Sequence, residues 1–217
     1  YAGRDWPEPE KGKAAMITRM DGDVGRLIER LKELGLDGRT LVLFTSDNGP
    51  HREGGVDPSF FRSSGPLRGI KRDLYEGGIR VPMIARWPGR VPAGKVSDQV
   101  WAMWDVLPTM CDLVGQEPPA KLDGMSMLRA LHGRPQEGHA FLYWEFHERG
   151  FAQAVRMGDF KAVRKGIGQP LELYDLSKDV EEQDDAAPMY PEVVARIEEY
   201  LKTARTESPH WPVGSGR

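Results

Sequence analysis

The chain has 217 residues, and its 30 Lys and Arg against 33 Asp and Glu leave a net charge of −3. That near balance excludes a global pull toward nucleic acid or an anionic membrane, and no apolar run approaches the roughly eighteen residues that would span a bilayer. The single cysteine, Cys111, excludes an internal disulfide framework.

The length suffices for one large domain or two modest ones, either of which buries a real core. The sequence starts at Tyr1 with no signal peptide before it, which reads as a segment of a longer or processed product. Residues 1–12 are proline-rich and polar and are expected to form a surface lead-in. From Lys13 to Leu34 the apolar residues Met16, Ile17, Met20, Val24, Leu27, Ile28 and Leu31 recur at helical spacing, and Gly35 supplies a stop. "TLVLFTS" follows as an apolar, β-rich run, expected to be a strand covered on both faces in an α/β sheet.

Residues 49–78 lack periodicity and read as a long loop, a kind usually functional or disordered. "IRVPMIARW" restores a strand, and residues 98–114 read as helical, with Cys111 on the apolar face as a core thiol. Past residue 116 the chain becomes turn-rich, with a short helix near Ser126–Leu131. Short strands are expected at 140–146, 151–158, 160–165 and 171–176, and an amphipathic helix at 191–203 should pack across the sheet they form. The fold class is therefore α/β at 1–115, followed by a small α+β subdomain at 116–217 with an antiparallel sheet and a C-terminal helix.

"FTSDNGPH" (44–51) places Asp47 and Asn48 where the first strand ends. Ligands of open α/β sheets gather at the carboxyl ends of strands, and a carboxylate beside an amide oxygen suits a hard cation such as Ca²⁺. The same three residues, Asp-Asn-Gly, also make an ordinary tight turn, and this stretch alone leaves both readings open. In the loop behind it, Lys71 and Arg80 flank "EGG", with Arg68 and Arg72 nearby. A lysine beside a cation site is an arrangement for an anionic sulfuryl or phosphoryl group; a solvated basic loop is the bland alternative.

Three blocks in order, "MITRMDGDVGRLIERLKELGLDGRTLVLFTSDNG", "GPLRGIKRDLYEGGIRVPMIARWPG" and "LELYDLSKDVEEQDDAA", resemble the C-terminal half of formylglycine-dependent sulfatases of the alkaline phosphatase superfamily. The resemblance covers nearly the whole chain. It implies the C-terminal part of an alkaline-phosphatase-like α/β sandwich, with the rest of that domain as a partner and a sulfate ester as substrate. It implies that Asp47 and Asn48 ligate Ca²⁺, that Lys71 binds the substrate sulfate, and that Arg80, with Pro82, is chiefly structural and braces the loop. His51, in "DNGPH", is a candidate to face the substrate. Phosphate-handling relatives often carry "DHG"; Asn48 replaces that imidazole with an oxygen donor, which favours Ca²⁺ and sulfate chemistry over zinc or manganese and phosphate chemistry. The family also implies a periplasmic or extracellular location.

The formylglycine nucleophile, made from Cys or Ser in C/S-x-P-x-R, is expected upstream together with the remaining Ca²⁺ ligands, so this chain by itself should bind Ca²⁺ weakly and hydrolyse nothing. "SGPLR" (64–68) satisfies that pattern literally but lacks the leucine-threonine-glycine continuation, and Ser-Gly-Pro is a common turn. In "YWEFHERG" (143–150) strand alternation puts Tyr143, Glu145 and His147 on one side, and His147 is a candidate to select the leaving group. His132, His139 and His210 read as surface residues. The acidic run 179–188 reads as a solvated connector, and Met125, Met127, Trp101 and Trp104 as packing residues.

Overall fold

The fold is described from a computed structural model covering residues 1–148 and 150–213. The chain forms two compact units that do not follow sequence order. The first holds Tyr1–Asp47, His51–Phe61 and Pro82–Gly138; the second holds Asn48–Pro50, Arg62–Val81 and the residues from His139 onward.

In the first unit, helix α1 spans Glu8–Glu33 and so begins earlier than the apolar periodicity indicates. Its first turn contains Pro9 with Glu8 and Glu10, and a proline and acids there suit the unsatisfied N–H groups and the helix dipole. Glu10 is buried and accepts a hydrogen bond from the Asp57 backbone N–H at 2.5 Å, while Trp6 meets Phe61 edge-on at 5.1 Å. Residues 1–12 are thus partly helix, and the lead-in is anchored. Along α1, Met16 (74% exposed), Ile17, Met20 and Leu27 all face outward.

Strand β1 (Val42–Thr45) pairs antiparallel with β2 (Met83–Arg86), with Val42 opposite Arg86. Between them in sequence lies the short helix α2 (Glu76–Ile79) of the second unit. The residues of β1 are half-buried and Ile84 of β2 is 59% exposed, so among the described residues this strand is not covered on both faces. β2 is the strand it pairs with here. Arg86 anchors the turn before β1 through a two-point ion pair to Asp37, at 2.6 and 3.1 Å. That guanidinium holds the Asp37 carboxyl below the usual carboxylate range.

Helix α3 (Val106–Leu113) is shorter than the run 98–114 suggests. Buried Asp105 accepts the backbone N–H groups of Ala102 and Met125, at 2.8 and 2.9 Å, and the helix starts after it. Cys111 on this helix is half-buried. Helix α4 (Leu128–Leu131) follows fully buried Met127. His132 after it is half-buried, its Nδ1 at 2.9 Å from the Arg90 carbonyl, and so is more enclosed than a surface residue.

The second unit is built on four antiparallel strands in sequence order: β3 (Leu142–Phe146), β4 (Ala152–Met157), β5 (Phe160–Arg164) and β6 (Glu172–Asp175). Alternation sorts their side chains onto two faces. Val155, Ala162 and Leu173 meet Val193 and Ile197 of helix α5 (Pro191–Leu201) on one face. Ala154 and Val163 meet Leu74, with Tyr75 and Ile79, on the other. The sheet is therefore filled on both sides, by α5 and by the segment that contains α2.

Lys161 of β5 breaks this apolar pattern. It is fully buried, and its Nζ lies 3.0 Å from both Glu76 Oε1 and Glu182 Oε1. The acidic run 179–188 is consequently not a purely solvated connector: Glu182 is fully buried, and its Oε2 accepts the Glu76 backbone N–H at 2.6 Å. Burial pushes the Glu182 carboxyl up despite the opposing pull of Lys161. Removing one partner of such a cluster leaves uncompensated buried charge, at a cost of about 3–5 kcal/mol. Lys161→Met should therefore lower unfolding free energy in urea by about that much. Lys202→Met, in an exposed pair with Glu199, should change it by less than about 0.5 kcal/mol.

Candidate functional site

The loop 49–78 is ordered by close backbone approach. Asn48–Pro50 and the segment carrying Lys71 are stitched together within the second unit: the Lys71 N–H donates to the Pro50 carbonyl at 2.8 Å, and the Gly49 N–H to the Gly78 carbonyl at 2.9 Å. Glycines make this possible. A Cβ on Gly49 would sit 1.9 Å from the Gly77 carbonyl oxygen, one on Gly77 2.3 Å from the Gly69 oxygen, and one on Gly78 2.0 Å from the Asp73 oxygen. No side chain fits these positions, so the "DNG" and "EGG" elements form one backbone clasp.

Asn48 is half-buried, and its amide nitrogen donates to the Gly49 carbonyl at 2.9 Å. That bond commits the nitrogen end to the turn; the carbonyl oxygen is the end whose chemistry is that of a metal-type donor. Asp47 precedes it at the end of β1 and is exposed. A carboxylate and an amide oxygen fit Ca²⁺ by donor chemistry. Two residues do not complete a shell of six to eight oxygens, and among the described residues no cluster of three His, Cys, Asp or Glu could hold a metal.

Lys71 is half-buried in the clasp. The basic residues around it separate by role. Arg68 turns inward, with its guanidinium 3.9 Å from the Tyr75 ring and donating to the Tyr174 hydroxyl at 3.1 Å and the Glu182 carbonyl at 2.6 Å. Arg80 is exposed, with Nη1 3.6 Å from Glu76 Oε2. Arg72 has a left-handed φ of +81°, a conformation that costs a non-glycine residue energy, and reaches Glu148 at 2.6 Å. His51 belongs to the first unit and is exposed; its Nδ1 accepts the Glu53 N–H at 3.0 Å, which leaves the proton of a neutral ring on Nε2. The hydroxyl of Ser64 donates to the Gly69 carbonyl at 3.1 Å and is thereby engaged in its own turn.

At the end of β3, Tyr143 donates to Glu145 at 2.7 Å, and His147 Nε2 lies 3.2 Å from the same carboxylate. Glu145 also pairs with Arg205 at 3.0 Å. Burial opposes charge on Glu145, but the bonds from Tyr143 and His147 and the Arg205 charge outweigh it and hold the carboxyl below its usual range. Burial pushes the Tyr143 phenol well above its usual value. His147 packs beside Phe151 and Trp211, with ring centres 5.3 and 5.4 Å away. Trp211 was not expected at this site. Its only sequence signal is an isolated tryptophan in the turn-rich stretch after the last helix.

The sulfatase family model matches residues 11–116, and the model described as N-sulphoglucosamine sulphohydrolase, C-terminal, matches residues 70–207. The chain belongs to the sulfatase family. It covers the family's C-terminal region, within the alkaline-phosphatase-like superfamily. The sulfatase chain is 39% identical over 156 residues to mouse steryl-sulfatase, covering 70% of this chain and 25% of that protein. It is 30% identical over 213 residues to an N-acetylgalactosamine-6-O-sulfatase of Bacteroides thetaiotaomicron, covering 88% and 41%. It thus spans well under half the length of these curated relatives. The crystal structure of Ps i-CgsB in complex with k-i-k-neocarrahexaose superposes with a TM-score of 0.83 at 29% identity, over 97% of this chain and 47% of that one. No helix of the sulfatase chain is long and apolar enough to cross a membrane among the described residues.

The clasp generates a direct test. Gly49→Ala and Gly77→Ala should each destabilise the second unit by about 1–3 kcal/mol or prevent its folding, because the new methyl meets backbone oxygen. Gly25→Ala in α1 meets nothing within 4 Å and should raise thermal stability slightly, by about 0.5–1 kcal/mol. Differential scanning calorimetry of the three variants checks the contrast.

Proposed function

We propose that this chain contributes to sulfate-ester hydrolysis by supplying two Ca²⁺ ligands, Asp47 and Asn48, and a sulfate-binding lysine, Lys71. The observation that carries the reading is the backbone clasp: the Lys71 N–H bonded to the Pro50 carbonyl holds the lysine against the turn that contains Asn48. Membership of the sulfatase family and the "DNG" and "EGG" elements support it.

The residues divide the work chemically. Ca²⁺, when bound, would draw negative charge from the sulfate oxygens. The ammonium of Lys71 acts as a point charge on the same group and stabilises charge that builds up as the ester S–O bond breaks. His51 offers Nε2–H as a hydrogen-bond donor toward a substrate oxygen, and Arg80 braces the loop through Glu76. Two ligand residues alone hold Ca²⁺ weakly, and the chain by itself is proposed to be inactive, with the nucleophile supplied upstream.

In the full-length protein, Lys71→Ala should lower kcat/KM for sulfate esters by about 10²–10³-fold, the range for losing one preorganised charge donor, while Ca²⁺ affinity stays within a factor of a few. Asp47→Ala should weaken Ca²⁺ binding by about 100-fold or more, since even outer-shell partners are worth about 10–100-fold. Calorimetric Ca²⁺ titration with sulfate-release kinetics separates the two effects. Ca²⁺ dependence that survives Asp47→Ala would rule out the ligand assignment. Faster turnover of phosphate than of sulfate monoesters would reassign the reaction, and turnover by the isolated chain would overturn its inactivity.

A further inference from the structure

Lys71 occupies a tight turn, 70–73, that is closed on itself. The Asp73 N–H donates to the Ile70 carbonyl at 2.8 Å, and the Asp73 carboxylate accepts the Ile70 N–H at 2.9 Å. The segment holding this turn meets at a narrow neck, where the Gly77 N–H donates to the Arg68 carbonyl at 2.6 Å. The placement of Lys71 therefore depends on what fixes the two sides of the neck, Arg68 and Glu76.

One residue holds both sides. The Glu182 carboxylate accepts the Glu76 backbone N–H, and the Glu182 backbone carbonyl accepts the Arg68 guanidinium, each at 2.6 Å. The connector that carries Glu182 is itself pinned. Asp185 accepts the Leu173 N–H at 3.0 Å, and the Ala186 N–H donates to the Leu173 carbonyl at 2.8 Å. Asp179 accepts the N–H groups of Gln183 and Asp184 at 2.8 and 2.9 Å. Glu182 is thus a fixed point between β6 and the loop.

Its own conformation is unfavourable. Glu182 is a fully buried acid with a left-handed φ of +54°, a backbone state that suits glycine better than glutamate. Charge pairing alone does not demand an acid here, because Lys161 also has Glu76 at 3.0 Å. What a glycine could not supply is the carboxylate bond to the Glu76 N–H, which joins one side of the neck to the residue that already holds the other.

We propose that Glu182 is a positioning residue for the reaction: by holding Arg68 and Glu76 together, it fixes the neck of the segment that carries Lys71. The proposal deepens the function above and rests on Lys71 as the sulfate-binding group. Glu182 acts on the sulfate only through that lysine.

The test follows hydrolysis of 4-nitrophenyl sulfate by the full-length protein with Glu182→Ala, Glu182→Gln and Lys71→Ala, alone and combined. Glu182→Ala should lower kcat/KM about 10–100-fold, the scale for a catalytic group displaced by about 1 Å. In the Lys71→Ala background the same change should cost less than about twofold, because the group it positions is gone. Glu182→Gln, whose amide oxygen still accepts the Glu76 N–H, should recover most of the loss. Glu182→Gly, which removes the carboxylate at little backbone cost, replaces Glu182→Ala if that variant does not fold. Val193→Ala, on the opposite face of the sheet, controls for lost stability; below its melting temperature it should keep kcat/KM within about twofold.

Hydrogen exchange read by mass spectrometry needs no turnover. Removing the Glu182 side chain should speed exchange in segment 68–78 about tenfold or more relative to β4 and β5. No loss on removing that side chain, an equal loss in both Lys71 backgrounds, or a Glu182→Gln as impaired as Glu182→Ala would each overturn the positioning role. So would acceleration spread evenly over loop and sheet. Turnover unchanged by Lys71→Ala would instead overturn the sulfate-binding reading, and the exchange pattern would still decide whether Glu182 holds the loop.

Discussion

A lysine buried in the middle of a β-sheet holds the second unit together. Lys161 lies between Glu76 and Glu182, three segments far apart in sequence, and each contact is 3.0 Å. Desolvating these charges is expensive, and a set of apolar residues of equal volume could pack as well or better. What the charges add is direction. An apolar contact tolerates sliding, whereas a carboxylate against an ammonium fixes where Glu76 sits, and Glu76 begins the helix α2 that closes the "EGG" element. Glu182 reinforces the same point by accepting the Glu76 backbone N–H. The position of the clasp carrying Lys71 is thus referred back to the sheet interior.

The clasp itself is built from absence of side chains. Gly49, Gly77 and Gly78 bring carbonyl oxygens to places a Cβ would occupy, so that two strands of loop run in direct backbone contact. This explains how a long segment with no periodicity can be well defined: its order comes from backbone hydrogen bonds and one buried ion cluster, with Leu74 as its main apolar anchor. Arg68, stacked on Tyr75 and bonded to Tyr174, adds a polar tie from the same loop to β6.

Much of this unit was legible in the sequence. Short alternating strands and an amphipathic last helix are local signals, and β3 to β6 with α5 follow them. The turn chemistry around Asp47 and Asn48 was equally visible. What escaped was set by distant partners. Glu182 sits in an acidic run whose other members are mostly at least partly exposed, and nothing local distinguishes the one that meets Lys161; "FKAVRK" likewise looks like a strand with a lysine on its solvent side. The early start of α1 did have a local signal, prolines and acids in its first turn, but its polar composition resembled a loop. The double covering expected of β1 assumed neighbours that the described residues do not include. Trp211 is placed by its packing beside His147, which no periodicity encodes.

The two-sided filling of the β3–β6 sheet has a dynamic consequence. Most loops that carry ligand-binding groups open at little cost, independently of the core beneath them. Here the loop carrying Lys71 is itself one of the two layers that bury the sheet, through Leu74, Tyr75 and Ile79 against Ala154 and Val163. It cannot lift away without exposing that face and separating the Lys161 cluster. Amide hydrogens in the clasp should then exchange with solvent on nearly the same slow timescale as those of the central strands. The rigidity of this loop is the rigidity of the fold.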